Sequence, residues 1–411
     1  MYFLYNIIVL IVTGLLKIVA LFNKKIQLFV EGRNQTFNRL KESISKNDEV
    51  IWVHCASLGE FEQGRPIIEK LKVEFPSKKI VLTFFSPSGY EVRKDYNVVD
   101  IVCYLPLDSK SNAKKFLDIV HPEKAIFVKY EFWPNLLREL KQREVNTILV
   151  SGIFRENQAF FKSYGSWMRN SLKAFSHFFV QNKVSESLLK NVGFNNVTLC
   201  GDTRFDRVYE ITQQNNKLNF IEEFTANNHI LVAGSSWKED EDLLVEYINN
   251  NSKEGEKFII APHNIKPTEI EELKNSITKK VVSFSEKETK NLNNYQVFII
   301  DTVGILTKIY SYAHVAYVGG GYTKSGVHNV LEPACYGVPV LIGPNYQKFN
   351  EAIELVDNGG CFVVDSSEKL SLHLKKFYND NEERKNVGQK SLNYVASKTG
   401  ATLKILNYLK K

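Results

Sequence analysis

The sequence predicts an α/β protein in which two doubly wound halves follow an apolar N-terminal helix. Two series of short apolar runs alternate with amphipathic, helix-like stretches, the first over 50–200 and the second over 230–364. A polar stretch rich in Asn and Gln, Arg207 to Asn228, separates the two series. Strands that alternate with helices are typical of parallel sheets, which bind ligands in the crevice at the carboxyl ends of their strands. We therefore expect two such halves facing a cleft.

The composition is that of a globular protein with a mild basic excess. Of 411 residues, 44% are hydrophobic and 24% are charged, and the formal net charge is +7. This length suggests about two to three domains, and the charge favours anionic partners such as nucleotides or phosphorylated lipids. No zinc-finger, basic-zipper or RNA-recognition signature occurs, so we expect no nucleic-acid partner. Five widely spaced cysteines without a CxxC pattern predict reduced thiols and no metal site.

The N-terminal segment, Tyr2 to Phe22, is apolar apart from Asn6, Thr13 and Lys17. As a helix it would be about 30 Å long, enough to span the apolar core of a bilayer. No basic residue precedes it and no small-residue cleavage site follows it, which argues against a signal peptide. Lys17 keeps a second interpretation open, a helix that lies in the membrane interface. Basic residues after the segment predict a membrane anchor over 1–25 with a cytoplasmic body: Lys24, Lys25, Arg33, Arg39 and Lys41.

The first series of strands carries a candidate functional residue at its first strand-to-helix junction. The strand-like runs are Val50–His54, Ile80–Phe84, Ile101–Leu105, Lys124–Val128, Thr147–Val150, Phe178–Gln181 and Val197–Cys200. Glu60 follows Gly59 where the first strand gives way to a helix. A carboxylate there is either a helix cap with a lowered pKa or a general base that takes a proton from a hydroxyl. The residues alone leave both roles open.

Three further charged residues of this half lie at strand ends. Lys129 and Glu131 stand between a strand that ends at Val128 and a helix that opens at Trp133. They either face the cleft or form a simple ion pair with each other. Arg204 lies at the end of the first half, where a guanidinium would be well placed to meet an anionic group across the cleft.

The second series repeats the alternation of strands and helices. Its strand-like runs are Ile230–Ala233, Phe258–Ala261, Val281–Phe284, Val297–Ile300, Ala316–Val318, Val338–Ile342 and Cys361–Val364. Pro262 and His263 close one of these strands, and His263 is either a loop cap or a ligand contact. Asp301–Leu306 follows another strand, and the tail from Ser366 onward has a helical pattern.

The stretch from Val318 to Pro344 has the order strand, glycine-rich turn, helix and strand, which is typical of a nucleotide-binding half-domain. Glycines let backbone N–H groups approach a phosphate, and a helix N-terminus adds partial positive charge. Glu332 would then accept hydrogen bonds from both ribose hydroxyls. Asn329 and Glu332 also have capping-box spacing, so a purely structural role stays open. The loop lacks the G-x-G-x-x-G pattern with its distant acidic residue, which argues against a dinucleotide oxidoreductase.

Six short motifs occur in order along the chain, and together they identify a resemblance. They stand at His54–Glu60, Glu131–Asn135, Gly201–Asp206, Asp301–Leu306, Tyr317–Gly321 and Gly326–Ala334. In this order they resemble the 3-deoxy-D-manno-octulosonic acid (Kdo) transferase family of lipid A biosynthesis. Members of that family are membrane-anchored glycosyltransferases of the GT-B fold, with two Rossmann-like domains facing a cleft. The resemblance implies an enzyme at the cytoplasmic face of the inner membrane.

The resemblance also implies a division of the chain. The anchor would occupy 1–25, an N-terminal acceptor-binding domain 26–206 and a linker 207–228. A nucleotide-sugar-binding domain would follow over 229–385, and a C-terminal helix over 386–411 that can pack back on the N-terminal domain.

The same resemblance implies a reaction and a set of site residues. Kdo would pass from CMP-Kdo to the lipid A precursor lipid IVA by inverting displacement, without a metal or other cofactor. Glu60 would be the catalytic base, with Lys129, Glu131 and Arg204 in the same site. The CMP-Kdo contacts would be Pro262, His263, Val303, Gly304, Ile305, Asn329, Val330, Leu331 and Glu332.

The chain departs from the family pattern at several charged positions. Lys129 stands where members usually have Glu, and Arg204 where they have Lys. His263 replaces an Arg that would contact CMP, and Ile305 replaces a Glu. Two alternatives therefore stay open. One is a GT-B glycosyltransferase that uses a UDP-sugar, and the other is an inactive, membrane-tethered nucleotide-binding protein.

Overall fold

Two parallel sheets of seven strands each form the framework of the protein. The structure is a computed structural model that describes residues 1–226 and 228–410. The chain divides into two units, unit 1 with Met1–Asp206 and Thr399–Lys411, and unit 2 with Arg207–Lys398. The structure confirms the prediction of two doubly wound α/β halves.

The sheet of unit 1 has the strand order β3-β2-β1-β4-β5-β6-β7. Its strands are β1 Val50–Cys55, β2 Lys79–Phe84, β3 Ile101–Tyr104, β4 Lys124–Val128, β5 Asn146–Gly152, β6 His177–Val180 and β7 Val197–Leu199. The chain runs from β1 outward to β3 and then returns to pair β4 with β1 on the other side. This reversal makes the carboxyl ends of β1 and β4 the switch point, where doubly wound sheets bind their ligands.

The strands of unit 1 are buried on both faces because their sequences are nearly continuous apolar runs. All six residues of β1 are buried. Trp52 packs into the core on one side of the sheet, and Ile51 and Val53 pack into the core on the other. A strand with two buried faces is typical of a central strand in a parallel sheet.

Helices cover this sheet and also precede it. They are α1 Tyr2–Val19, α2 Lys24–Asn34, α3 Thr36–Ser43, α4 Leu58–Glu74, α5 Pro87–Arg93, α6 Lys110–Val120, α7 Pro134–Gln142, α8 Ser166–Leu172 and α9 Lys183–Asn191. Helix α10, Thr203–Thr212, begins in unit 1 and ends in unit 2. Helix α1 has 18 residues, a mean hydropathy of 2.1 and no buried residue. By length and composition it is able to cross a membrane.

Unit 2 has the strand order β10-β11-β9-β8-β12-β13-β14. Its strands are β8 His229–Ser236, β9 Glu256–Pro262, β10 Val281–Ser283, β11 Val297–Ile299, β12 Val315–Val318, β13 Val340–Ile342 and β14 Cys361–Val363. Its helices are α11 Asn219–Thr225, α12 Lys238–Asn250, α13 Pro267–Ser276, α14 Leu306–Ile309, α15 Leu331–Ala334, α16 Asn350–Asp357, α17 Ser367–Asn379 and α18 Asn381–Ser397. The sheet extends in both directions from β8, so the ends of β8 and β12 form its switch point.

The structure differs from the expected boundaries in two places. The stretch 207–228, expected as a linker, contains most of α10 and the whole of α11. Helix α11 packs on unit 2 because its residues Ile221 and Phe224 are buried in the core of that unit. The expected helix over 386–411 is two helices, α18 and α19 (Ala401–Leu409), separated at Gly400 with a φ of 104°. Helix α19 belongs to unit 1, where its residues Ile405 and Leu409 join the core.

Candidate functional site

Glu60 lies in the first turn of α4, directly after the switch-point strand β1. Its Oε2 atom accepts hydrogen bonds from the amides of Ala56 at 2.5 Å and Ser57 at 3.1 Å. Ser57 and Glu60 form a capping box, so the capping role that the sequence left open is present. Both amides bind the same carboxylate oxygen, which leaves Oε1 as the oxygen that can take a proton from a substrate hydroxyl.

The pKa of Glu60 is raised, whereas the sequence argument for a cap expected a lowered one. Burial of the carboxyl, which is only 4% exposed, and the negative charge of Glu131 raise its pKa from 4.5 to about 7. The amides of Ala56 and Ser57 and the charge of Lys129 oppose this effect. Burial therefore raises the pKa of Glu60 more than the amides at the helix N-terminus lower it. A carboxyl with a pKa of about 7 suits a general base at neutral pH.

Glu131 is held by two aromatic side chains beside Glu60. Its Oε2 accepts a hydrogen bond from Trp133 Nε1 at 2.9 Å and lies 3.4 Å from His54 Nε2. His54 is fully buried, and its Nδ1 lies 2.8 Å from Thr83 Oγ1. These contacts fix the carboxylate of Glu131.

Lys129 adopts an unusual backbone conformation at the end of β4. Its φ is 73°, in the left-handed region that few residues other than glycine occupy. Its Nζ lies 5.1 Å from the ring centroid of Tyr130, and its charge lowers the pKa of Glu60. The structure thus places Glu60, Lys129 and Glu131 at the switch point of unit 1, after the ends of β1 and β4.

Arg204 is bound by its near neighbour Asp202. Its Nε and Nη2 donate to Asp202 Oδ2 at 2.9 and 2.8 Å, and its backbone amide donates to Oδ1 at 2.9 Å. Asp202 also accepts a hydrogen bond from Gln63 of α4, three residues after Glu60, at 3.2 Å. The guanidinium therefore has an anionic partner inside unit 1, which the sequence did not indicate.

Three rings form a stack at the switch point of unit 2, and we call it the ring stack. The rings of Trp237 and His263 are 4.5 Å apart and tilted by 18°, and those of His263 and His328 are 4.5 Å apart and tilted by 24°. Trp237 Nε1 donates to His328 Nε2 at 2.8 Å. Sequence reasoning proposed only His263. Trp237 and His328 each follow a switch-point strand, and that placement was the available signal.

The imidazoles of the ring stack are uncharged at neutral pH. Burial, followed by the neighbouring His263, lowers the pKa of His328 to about 4. Burial also lowers the pKa of His263. A neutral His328 can accept the hydrogen bond from Trp237, so the protonation state agrees with the geometry.

The glycine loop after β12 serves first to bring two backbone segments together. A Cβ atom on Gly319 would lie 2.4 Å from the carbonyl oxygen of Ser235, near the end of β8. Gly320 has a φ of 89°, and its amide donates to buried Asp240 at 2.7 Å. Asp240 also accepts from Trp237 N at 2.9 Å and from Tyr317 Oη at 2.7 Å. The amide of Gly320 is thus engaged by the protein, whereas the sequence suggested that the loop amides face a phosphate.

Glu332 lies in the four-residue helix α15, and both of its carboxylate oxygens have partners. Oε1 accepts from Asn329 Nδ2 and Oε2 from Thr307 Oγ1, each at 3.0 Å. Asn329 Oδ1 also accepts from the amide of Leu331 at 3.2 Å. The hydrogen bonds of a purely structural role for Asn329 and Glu332 are therefore present. A ribose that binds Glu332 would have to share or replace these hydrogen bonds.

The other expected donor contacts differ widely in exposure. Val303 is 81% exposed, and Gly304 beside it has a φ of 91° in the loop before α14. Val330 and Leu331 are both 0% exposed, so only their backbone atoms could meet a ligand. Their side chains are core residues, which the sequence could not separate from contact residues.

A cavity of about 290 Å³ opens beside Trp237 and Pro262. Its lining is strongly acidic: Glu239, Glu241, Asp242, Glu269 and Glu272. This charge would repel the phosphate of a nucleotide, so the cavity itself is a poor donor site. Among residues 1–226 and 228–410, no group of three or more His, Cys, Asp and Glu side chains could hold a metal ion.

Comparison with known proteins agrees with the resemblance seen in the sequence. A family model for 3-deoxy-D-manno-octulosonic-acid transferase (Kdo transferase) matches residues 31–207. The 3-deoxy-D-manno-octulosonic acid transferase of Aquifex aeolicus is 32% identical over 84% of this chain and 90% of its own. The enzyme of the same name from Haemophilus influenzae is 25% identical over 88% of this chain and 86% of its own.

Solved structures show the same fold. UDP-GlcNAc 2-epimerase from Neisseria meningitidis bound to UDP-GlcNAc aligns with a TM-score of 0.60 at 14% identity, over 88% of this chain and 100% of its own. A glycosyltransferase from Rickettsia africae aligns with a TM-score of 0.54 at 13% identity, over 89% of this chain and 97% of its own. These likenesses support the GT-B fold, and the relatives support the activity class. The chain belongs to the Kdo transferase family and is a glycosyltransferase.

Proposed function

We propose that the protein transfers Kdo from CMP-Kdo to a hydroxyl of the lipid A precursor lipid IVA, with inversion at the anomeric carbon. The observation that carries this proposal is the buried carboxyl of Glu60, with a pKa of about 7, in a chain 32% identical to a Kdo transferase. Family membership supports transfer of Kdo, and the state of Glu60 supports a base-assisted displacement.

Glu60 acts as the general base in this proposal. Its carboxylate takes the proton of the acceptor hydroxyl through Oε1, while the amides of Ala56 and Ser57 hold Oε2. The acceptor oxygen forms a bond to the anomeric carbon of Kdo as the bond from that carbon to the phosphate oxygen breaks. CMP leaves with the electron pair, and the proton on Glu60 passes to solvent. With a pKa near 7, about half of the carboxyl groups are ionised at neutral pH.

Glu131 and Lys129 adjust this base from opposite sides. The charge of Glu131 raises the pKa of Glu60, and the charge of Lys129 lowers it. Together with burial, which has the largest effect on the pKa, these two charges keep the base strong enough to accept a proton and still partly ionised at neutral pH. Arg204 supplies a cation of unit 1 that Asp202 orients, and we assign it a contact with an anionic substrate group.

Unit 2 holds the donor in this proposal. Pro262 and His263, the loop Val303–Ile305 and the segment Asn329–Glu332 supply the contacts. Glu332 binds the ribose hydroxyls by exchanging its bonds to Thr307 and Asn329 for bonds to the sugar. The uncharged ring stack offers flat, apolar surface of the kind on which a pyrimidine base packs.

Helix α1 holds the enzyme at the cytoplasmic face of the inner membrane. Its outward face is apolar and exposed along its length, with Phe3 77%, Leu10 66% and Ile18 59% exposed. Its other face contacts unit 1, as Tyr2 and Tyr5 do through their hydroxyls. Because one side of α1 packs along the rest of unit 1, we favour a helix that lies in the membrane interface over one that spans the bilayer.

Transfer measured with two donors tests this proposal. The full-length protein in detergent is given a tetra-acylated lipid A precursor and either CMP-Kdo, regenerated in situ, or UDP-GlcNAc. We expect the product mass to increase by one or more Kdo residues with CMP-Kdo and to stay unchanged with UDP-GlcNAc. Turnover with UDP-GlcNAc alone would overturn the donor assignment. Nucleotide binding without any turnover would identify an inactive binding protein.

A further inference from the structure

Helix α1 contacts unit 1 through a regular stripe of side chains. Its half-buried residues recur every three or four positions, as one face of a helix requires: Tyr2, Tyr5, Asn6, Val9, Thr13 and Leu16. The remaining positions of the helix are exposed. The stripe runs the length of the helix, so α1 lies along the surface of the rest of unit 1.

The start of this stripe is polar and is bonded to two other elements of unit 1. Tyr5 Oη donates to Asp108 Oδ2 at 2.8 Å, in the segment between β3 and α6. Tyr2 Oη donates to Asn135 Oδ1, and Asn135 Nδ2 donates to Asn6 Oδ1 at 3.1 Å. Asp108 is 5% exposed and Asn135 is 1% exposed. Lipid contact alone would not require these hydroxyl groups or their buried partners.

Asp108 supplies the N-terminal cap of α7. The cap residue of that helix, Trp133, makes no capping bond with its own side chain. Instead, Asp108 accepts hydrogen bonds from the amides of Asn135 and Leu136, each at 2.9 Å. A charged cap of this kind stabilises the first turn of a helix. Tyr5 therefore fixes the side chain of Asp108, and Asp108 in turn stabilises the first turn of α7.

The start of α7 in turn leads to the candidate base. Trp133 donates to Glu131 Oε2 at 2.9 Å, and the charge of Glu131 raises the pKa of Glu60. Continuous contacts thus join α1 to Asp108, Asp108 to α7, and α7 through Trp133 to Glu131.

We infer that docking of α1 on unit 1 positions Glu131 beside Glu60, and that Tyr5 and Tyr2 are positioning residues for the transfer reaction. The inference rests on the proposed role of Glu60. In this account the apolar helix does more than attach the enzyme to lipid, because its polar edge also sets the geometry of the site.

The first test does not depend on activity. Amide hydrogen exchange of 134–142 is compared in full-length wild type, Tyr5→Phe and Tyr2→Phe in detergent, with Tyr209→Phe of unit 2 as the matched control. Each change removes one hydroxyl and keeps the ring. We expect exchange of the Asn135 and Leu136 amides to become about tenfold faster in the two α1 variants and to stay unchanged in the control. Unchanged exchange in both α1 variants would overturn the inference.

The second test uses the transfer reaction. In Tyr5→Phe we expect kcat to fall several-fold and the acid limb of the pH–rate profile to move to lower pH, with the KM for CMP-Kdo unchanged. The double variant Tyr5→Phe/Glu131→Gln should have the same acid limb as Glu131→Gln alone, because Tyr5 acts on Glu60 only through Glu131. A double variant whose acid limb moves by the sum of the shifts in Tyr5→Phe and Glu131→Gln would contradict a role in positioning. Faster amide exchange in Tyr5→Phe without any change in kcat or in the pH–rate profile would contradict it as well.

The two tests separate the inference from the proposed function. A wild type that transfers no Kdo would refute the proposed function. In that case the exchange data alone decide whether α1 holds the start of α7.

Discussion

Replacing Glu60 by Gln removes a carboxyl group whose ionised form is less stable in the folded protein than in the unfolded chain. Burial and the charge of Glu131 raise its pKa from 4.5 to about 7. The difference of about 2.5 pH units corresponds to about 3 kcal/mol of unfolding free energy, at about 1.4 kcal/mol for each unit. Gln keeps a side-chain oxygen for the amides of Ala56 and Ser57 and has no proton to lose.

The sign of the effect follows from which state holds the proton more tightly. The folded protein binds the Glu60 proton more tightly than the unfolded chain, because its pKa is higher when folded. The resulting stabilisation of the wild type is fully present below pH 4.5, decreases as the pH rises, and is lost above about pH 7. Relative to wild type, Glu60→Gln should therefore gain about 3 kcal/mol between pH 4.5 and pH 8.

Denaturant unfolding of the full chain in detergent, followed by tryptophan fluorescence over this pH range, measures the difference. Trp52, Trp133 and Trp167 lie in unit 1, so the signal reports mainly on the unit that contains Glu60. Glu74→Gln is the matched control, since that carboxylate lies at the far end of α4 and pairs with Lys410 at 2.9 Å on the surface. A stability difference between Glu60→Gln and wild type that does not change with pH would refute the reasoning.

Three further predictions concern neighbouring contacts. Because the charge of Glu131 adds to the effect of burial, Glu131→Gln should lower the pKa of Glu60 and move the acid limb of the kcat/KM profile to lower pH; an unmoved limb would exclude a contribution from Glu131. Gly319→Ala should destabilise unit 2 by about 1–3 kcal/mol in denaturant unfolding, because the new Cβ would overlap the backbone at Ser235. Asp206→Ala should speed amide exchange in α19, because Asp206 accepts from Thr402 N at 2.7 Å and Thr402 Oγ1 at 2.8 Å; unchanged exchange would contradict this cap.

The positions of the strands along the chain could be predicted because the buried strands of parallel sheets are apolar runs that stand out locally. Val50–His54 was expected as a strand and the structure gives Val50–Cys55, a run buried on both faces. That Glu60, Lys129 and Glu131 follow strands was visible in the sequence, whereas only the family resemblance grouped them in one site. The prediction of two α/β halves rested on the alternation of strand-like and helix-like stretches in two series along the chain.

Other features depend on contacts between distant parts of the chain and left no local signal. The raised pKa of Glu60 comes from burial and from Glu131, which stands 71 positions later in the chain (131 minus 60). The ring stack joins His263 and His328 from two different loops. Helix α11 lay in a polar segment whose two buried side chains, Ile221 and Phe224, are too few to show a helical period.

The central claim is that Glu60 is the base of a Kdo transferase, and a pH series of initial transfer rates tests it most directly. Wild type, Glu60→Gln and Glu74→Gln are compared with CMP-Kdo and the tetra-acylated precursor, with product measured by mass. We expect the wild-type rate to rise through an apparent pKa near 7, the Glu74→Gln rate to match it, and Glu60→Gln to be slower by about 10² to 10⁴ at every pH. A Glu60→Gln protein with the wild-type rate and profile would contradict the claim and assign the proton transfer to another group.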